Sequence, residues 1–200
     1  SKFLLLFDGH NIDATLEIRL TNKSFSEIYS QVFIPLLSNA GTRWQTGTVD
    51  PCHEHFISER IKHTLIMQTA DSKKKILERD SPEFVLFLPL EEIHEISLLY
   101  ANYELVSNGF PTLYLGPNIP IASLKHVQKQ KPNVVFVSHF TVHPKMENLK
   151  TYIEDFLKEV GTENELWILG KQEEKYTTDW KSVKYFEEIE AFRNQLLKIS

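Results

Sequence analysis

The sequence has one cysteine, no long apolar run and no common catalytic motif, and each shortage excludes a class of protein. Cys52 is the one cysteine, which excludes an intrachain disulfide and predicts a reducing compartment. No apolar run approaches the roughly 20 residues of a membrane span, and the run from Phe3 to Phe7 is shorter than a signal-peptide core. A Gly-rich dinucleotide loop and a nucleophilic triad are also missing. We therefore expect a soluble, cytoplasmic protein without membrane partners that is not an enzyme.

The composition is that of a folded chain. Apolar residues make up 42% and charged residues 24% of the 200 residues, which argues against disorder and allows one or two domains. The net charge of −5 does not favour a nucleic-acid surface, because phosphate binding requires clustered Lys and Arg. The start, Ser-Lys-Phe without Met, predicts that the chain was cut from a longer protein.

The first part of the chain has helical patterns. Ser24 and Glu27 have the spacing of a capping box, and an apolar stripe then runs from Phe25 to Leu37. Pro35 should kink that helix because proline lacks the backbone donor. Asp50 and Pro51 suit the start of the next helix. With an earlier helix near 12–22, these patterns predict an antiparallel helical bundle over 1–78.

The pattern changes after the charged segment 73–80. Apolar strands are predicted at 84–89, 112–115, 134–137, 166–169 and 183–185, with helices at 93–107, 121–129, 145–159 and 187–198. Strands that alternate with helices through short loops predict a parallel sheet covered on both faces. The fold class is therefore a helical bundle over 1–78 followed by an α/β domain over 82–200.

Two motifs carry candidate chemistry. Trp44 precedes Glu54 and His55, and an aromatic plate beside a carboxylate and an imidazole suits a large flat ligand. Taken alone, Trp44 is as well explained by packing, and Glu54 by the helix dipole. In the α/β part, Glu92 and His94 follow the first strand, at the carboxyl edge where open sheets bind ligands.

Together these residues resemble a known family. Glu92-x-His94-x-x-Ser97, Ser138-x-Phe140 and Gly170 are similar to the Asp/Glu-x-His-x-x-Gly, Ser-x-Leu and Gly-Gly pattern of cobalamin-binding Rossmann-like (flavodoxin-like) domains. The spacing of Trp44 and the Glu54-His55 pair resembles the bundle of MerR-type, cobalamin-dependent transcriptional regulators of the light-responsive CarH/LitR group. The segment 114–120, which contains Gly116, also looks like that group.

The resemblance implies roles for the site residues of the α/β part. His94 would be the lower axial ligand of the cobalt and the metal-binding residue of the site, and Glu92 would fix its tautomer. The displaced nucleotide tail would run into the sheet, where Ser138 offers a hydroxyl. Gly116 and Gly170 would leave room for the tail.

In the bundle, the resemblance implies that Trp44 covers the upper face of the corrin. Glu54 would bind the ribose of adenosylcobalamin, the expected cofactor, and His55 would line the same pocket.

The sequence departs from the family pattern at four positions. Ser97 replaces a Gly and Lys171 the second Gly of a pair. The resemblance leaves two alternatives: the added bulk weakens binding of the tail, or Lys171 instead reaches a tail phosphate. Phe140 stands in place of Leu. Gln45 replaces a His that ligates cobalt after photolysis, and His53 is a conceivable substitute.

The resemblance implies a cobalamin-binding sensor region of a transcriptional regulator, responsive to light. It would form a homo-oligomer that switches with the upper ligand, and it would bind DNA only through an N-terminal winged-helix domain outside this chain. Three alternatives stay open: a corrinoid carrier of a methyltransferase system, a degenerate domain that has lost cobalamin, and a zinc site at Cys52, His53 and His55, whose spacing is poor for one ion.

Overall fold

The chain divides into two compact units, Ser1–Gln68 and Thr69–Ser200. The computed structural model describes residues 7–39, 50–72, 81–131, 133–170 and 180–199, together with the helical backbone of 40–45. The predicted charged segment 73–80 lies outside these residues. None of the described helices is long and apolar enough to cross a membrane.

The first unit is helical, as predicted. Its described helices are α1 (Gly9–Leu20), the short α2 (Phe25–Ile28), α3 (Ile34–Gln45) and α4 (Pro51–Asp71). The predicted capping box is confirmed, because the Ser24 hydroxyl accepts from the Glu27 N–H at 3.3 Å and the Glu27 carboxylate accepts from the Ser24 N–H at 2.9 Å. The Asp50 carboxylate accepts from the Cys52 N–H at 2.9 Å, as expected of a residue that begins a helix.

A π-helical turn, Tyr29–Phe33, connects α2 to α3. It ends two residues before Pro35, where the sequence predicts a kink. Proline has no N–H to donate, and its ring crowds the carbonyl four residues earlier. The wider turn, in which the Ile34 N–H donates to the Tyr29 carbonyl, provides a local adjustment next to the proline.

The second unit contains a five-stranded parallel sheet in the order β2-β1-β3-β4-β5. The strands are β1 (Glu83–Phe87), β2 (Thr112–Gly116), β3 (Val134–His139), β4 (Glu165–Leu169) and β5 (Val183–Phe186). The helices are α5 (Ile96–Ser107), α6 (Ile121–Gln130), α7 (Met146–Val160) and α8 (Ile189–Ile199). The predicted fold class, helices followed by a Rossmann-like sheet, is confirmed.

Each face of the sheet has its own apolar core. On one face, Phe84, Val137 and Trp167 pack with residues of α5 and α8. On the other face, Phe87 and Phe136 pack with residues of α6 and α7. Burial on both faces explains why the strands appear in the sequence as continuous apolar runs.

Helix α5 begins at Ile96, although the sequence predicts a start at Ile93. The difference has a local cause. The carboxylate of Glu92 accepts from the N–H groups of Ile93 and His94 at 3.0 and 2.9 Å. A side chain that binds nearby backbone donors in this way competes with the helix. His94 therefore lies in the loop between β1 and α5.

Candidate functional site

The candidate site lies where the chain order of the sheet reverses. β1 lies between β2 and β3, so the connections that leave β1 and β3 run toward opposite edges of the sheet. Parallel sheets bind ligands at the carboxyl ends of the strands beside such a reversal. The loops 88–95 and 140–145, which follow β1 and β3, lie at this point.

Glu92 is the centre of this site. Its side chain is fully buried, and one carboxylate oxygen accepts from Nδ1 of His94 at 2.6 Å. The other oxygen accepts from three successive backbone N–H groups of the second loop, at Thr141, Val142 and His143, over 2.7–3.2 Å. The single carboxylate therefore binds the loop after β1 to the loop after β3.

The charge of Glu92 is stabilised although it is buried. Burial alone would raise the pKa of its carboxyl group. The backbone N–H groups of His143, Val142 and His94, with the His94 ring, outweigh burial and lower the pKa to about 2. Glu92 is thus a fixed negative charge beneath His94 at neutral pH.

The His94 ring has a defined orientation, because Glu92 binds one of its two nitrogens. Its side chain is 54% exposed, and Nδ1 is held by Glu92. The hydrogen bond that the described His94 side chain makes is through Nδ1 and not through the other ring nitrogen, Nε2. A carboxylate that holds one nitrogen of a histidine fixes the tautomer and raises the basicity of the other, as in protein metal sites. The contact between Glu92 and His94 Nδ1 therefore leaves Nε2 as the ring nitrogen that can accept a metal ion.

The other predicted residues of this unit lie at the same edge, in different surroundings. Ser138 is fully buried, and its hydroxyl donates to the Phe87 carbonyl at 2.8 Å. Phe140 is a core residue in edge-to-face contact with Tyr152. Gly116 is buried with a φ of +82°. Their part in ligand binding stays a prediction.

Ser97, Gly170 and Lys171 complete the predicted set. Ser97 lies in the first turn of α5 and is partly exposed. Gly170 directly follows β4 and has a φ of +107°, which favours glycine. Lys171 lies outside the described residues.

Two further features of this edge lie outside the family motifs. His139, the last residue of β3, hydrogen-bonds through Nδ1 with the Thr141 hydroxyl at 3.0 Å, and burial lowers the pKa of its ring to about 4. Leu90, Ile93 and Val142 are large apolar side chains of the two loops and are 51–65% exposed. Large apolar residues in the loops that follow strands are a sequence signal that could have identified this rim.

In the first unit, Glu54 and His55 lie in the first turns of α4. The Glu54 carboxylate accepts from the Ser58 hydroxyl at 2.6 Å, and His55 Nδ1 lies 3.8 Å from it. The His55 side chain is 77% exposed. Trp44 belongs to α3, and its side chain lies outside the described part of the chain. The predicted upper-face set therefore stays a prediction.

The first unit also contains a cavity of about 390 Å³. It is bordered by α1, the π-helical turn, α3 and α4, and its wall is mostly apolar, with an ion pair between Arg60 and Asp13. Glu54 and His55 are not among its described lining residues. The cavity therefore does not include Glu54 and His55, the two predicted upper-face residues whose side chains the structure describes.

The described residues also bear on the zinc alternative. No group of three or more His, Cys, Asp or Glu side chains within 7–45, 50–72, 81–131, 133–170 and 180–199 is arranged to hold a metal ion. Cys52 is exposed, and the neighbouring Asp50 raises the pKa of its thiol. A raised pKa opposes the thiolate form that binds zinc.

Comparison with known proteins gives a family match in the first unit. Residues 2–67 match the family described as "B12 binding domain". The HTH-type transcriptional repressor CarH of Myxococcus xanthus is 30% identical over 111 residues, which are 55% of this chain and 36% of that relative. The match therefore spans about a third of the length of the curated relative. The first third of the chain thus resembles a cobalamin-binding domain.

Solved structures support the fold. The monomethylamine corrinoid protein of Methanosarcina barkeri has a TM-score of 0.76 at 13% identity, with 100% of this chain and 97% of that chain covered. The methanol:cobalamin methyltransferase complex MtaBC of the same organism has a TM-score of 0.51 at 13% identity, with 99% and 76% covered. At these identities the likeness shows the shared fold.

Proposed function

We propose that this chain binds cobalamin and that His94 is the lower axial ligand of its cobalt. The observation that carries the proposal is the buried Glu92 carboxylate, 2.6 Å from Nδ1 of His94, which leaves Nε2 as the donor. Neutral imidazole is a good ligand for late first-row transition metals. When bound, the cobalt would supply a metal ion whose axial ligands can be exchanged. The family match over residues 2–67 supports the same ligand.

The surroundings of His94 suit a macrocycle. Leu90, Ile93 and Val142 expose apolar surface on the two loops that Glu92 joins. Exposed apolar side chains that rim a polar site are typical of binding surfaces. We assign these three side chains to contact with the lower face of the corrin around His94.

Within this function, the role supported best is that of a sensor region of a transcriptional regulator. The identity of 30% to CarH supports this role, as do the predicted upper-face residues Trp44, Glu54 and His55. Adenosylcobalamin is then the cofactor, a change of upper ligand shifts the oligomeric state, and DNA is bound through a domain outside this chain. Such a switch requires different affinities of the ligand for the two assembly states.

The test of cobalt ligation is a titration of the ligand-free chain with hydroxocobalamin, followed by its visible spectrum. His94→Ala should lower affinity at least about tenfold, as expected for loss of a metal ligand, and remove the imidazole-ligated spectrum. His126→Ala, which changes an exposed histidine of α6, is the matched control and should behave as wild type. Unchanged binding and spectrum in His94→Ala would exclude His94 as the ligand.

The second candidate is a corrinoid carrier, and Gln45 favours it. Gln45 stands where the light-sensing relatives are expected to have a cobalt-ligating His, and an amide is a poor ligand for cobalt. Gel filtration of the chain with adenosylcobalamin, in the dark and after green light, separates the two roles. A size that depends on the ligand and on light supports the sensor. Binding without any change of size supports the carrier.

A further inference from the structure

The loop 88–95, which follows β1, is also attached to β2 and to the loop after β2. The Leu88 N–H donates to the Gly116 carbonyl, and the Ile119 N–H donates to the Leu88 carbonyl, both at 2.9 Å. β2 is the neighbour of β1 on the side away from β3. The loop is therefore bound on its β2 side as well as on its β3 side, where Glu92 holds it.

Two side chains from the β2 region bind this loop close to His94. Glu95 directly follows His94, and its carboxylate accepts from the Tyr114 hydroxyl of β2 at 3.1 Å. Farther back in the loop, the Asn118 side-chain oxygen accepts from the Glu91 N–H at 3.0 Å. The segment that contains His94 is thus held from β2 at both of its ends.

The Tyr114 hydroxyl is a well-fixed donor. The Tyr114 ring packs against the apolar core that α5 and α8 form on one face of the sheet, and the residue pairs with Leu86 in the register of β1 and β2. A tyrosine whose ring is packed in a core keeps its hydroxyl in one place. Burial and the neighbouring Glu95 raise the pKa of the hydroxyl, so it remains a donor at neutral pH.

His94 therefore lies between two carboxylates that are bound to different parts of the sheet. Glu92 holds the imidazole and the loop after β3, whereas Glu95 is held by Tyr114 of β2. A ligating side chain that is already held near its bound geometry loses less conformational freedom when the ligand arrives. The contact with Glu95 restrains the backbone beside His94, which the contact with Glu92 alone does not do from the β2 side.

We infer that Tyr114 is a positioning residue for His94, which acts through Glu95 to hold the loop in the geometry that binds a corrinoid. The inference rests on the proposed role of His94 as the cobalt ligand. It adds a second support to the site, one that comes from β2 and is separate from the Glu92 carboxylate.

The test is a titration of the ligand-free full chain with hydroxocobalamin, followed by its visible spectrum. Tyr114→Phe removes only the hydroxyl and should lower the affinity about fivefold, as expected for one lost hydrogen bond. Glu95→Gln keeps an acceptor oxygen for Tyr114 and should stay within about twofold of wild type. Far-UV circular dichroism verifies that each variant is folded, and Glu95→Ala removes the same contact from its other side if Tyr114→Phe does not fold.

Tyr103→Phe is the matched control. Tyr103 belongs to α5 of the same unit, where its ring stacks on Tyr100. Its substitution also removes a phenol hydroxyl, and it should leave the affinity within about twofold of wild type.

A double substitution distinguishes positioning of His94 from a general effect on the unit. If Tyr114 acts through His94, the effect of Tyr114→Phe should disappear in the His94→Ala background, because the ligand that it positions is gone. The double variant should then bind hydroxocobalamin as weakly as His94→Ala alone. A loss of affinity that is the same in both backgrounds would overturn the positioning role.

The remaining outcomes separate this inference from the proposed function. Weak binding by His94→Ala together with wild-type binding by Tyr114→Phe would keep His94 as the ligand and overturn the role of Tyr114. A folded wild-type chain that does not bind hydroxocobalamin would overturn both proposals.

Discussion

At the scale of single residues, Glu92 links stability to the site. Its carboxylate holds five backbone N–H groups and one imidazole, from two loops that are far apart in the sequence. A neutral side chain at this position would leave several of these buried donors with a weaker acceptor. The residue that orients His94 is therefore also one that should stabilise the second unit.

The stability of the ligand-free chain should depend on pH through Glu92. Its pKa is about 2 in the folded chain, below the ordinary value of 4.5, so the ionised form stabilises the fold. This contribution, about 3 kcal/mol, is fully present above pH 4.5 and is lost as the pH falls toward 2. Urea unfolding at pH 7 should show Glu92→Gln destabilised by about that amount. The difference from wild type should shrink as the pH falls from 4.5 toward 2.

Glu91→Gln is the matched control for this change. Glu91 is the exposed neighbour of Glu92, and its side chain is 78% accessible. Its substitution should leave the free energy of unfolding within about 0.5 kcal/mol of wild type. Equal effects of the two substitutions at pH 7 would contradict the stabilising role of the buried carboxylate.

At the scale of elements, the capping box at Ser24 makes a prediction for the first unit. The Ser24 hydroxyl and the Glu27 carboxylate satisfy N–H groups at the start of α2. Ser24→Ala should lower the free energy of unfolding by about 1 kcal/mol, the usual cost of a lost N-cap. Urea unfolding followed by far-UV circular dichroism measures it. Glu27→Gln, whose amide oxygen still accepts from the Ser24 N–H, should cost less than Ser24→Ala, and the reverse order would contradict this assignment.

The elements also show which parts of the fold a sequence can predict. The strands were predictable because β1, β3 and β4 are continuous apolar runs buried on both faces. The π-helical turn was not, because the apolar stripe has the same residues whether the helix widens or kinks at Pro35. The start of α5 was missed for a different reason. Glu92 captures the donors that would have begun the helix at Ile93, and periodicity contains no signal for such a contact.

Only those residues of the candidate site whose side chains have a specific chemistry could be predicted from the sequence. Glu92 and His94 were predicted by their motif, and their contact is present. The backbone donors of Thr141, Val142 and His143 had no sequence signature, because every non-proline residue has an N–H group. The contact of the His139 ring with Gly170 was not predictable, since it depends on the register of β3 and β4. Contacts between strand ends are properties of the folded sheet.

At the scale of the whole molecule, the two units have separate tasks in the proposed function. Both apolar cores of the sheet lie entirely within residues 84–199, and the Glu92–His94 pair belongs to the same unit. The predicted upper-face residues Trp44, Glu54 and His55 belong to the first unit. Cobalt ligation and recognition of the upper ligand are thus assigned to different units.

This division predicts the behaviour of a fragment. Residues 81–200 contain every described strand and both cores of the sheet, so we expect the fragment to fold, because a domain with its own core can fold alone. It should bind corrinoids with the same imidazole-ligated spectrum as the full chain. It should lose any preference for adenosylcobalamin over methylcobalamin, because the residues assigned to the adenosyl group are missing. Titration of both corrinoids into the fragment, the full chain and full-length Glu54→Gln measures this preference. A fragment that still prefers adenosylcobalamin would show that the first unit does not select the upper ligand.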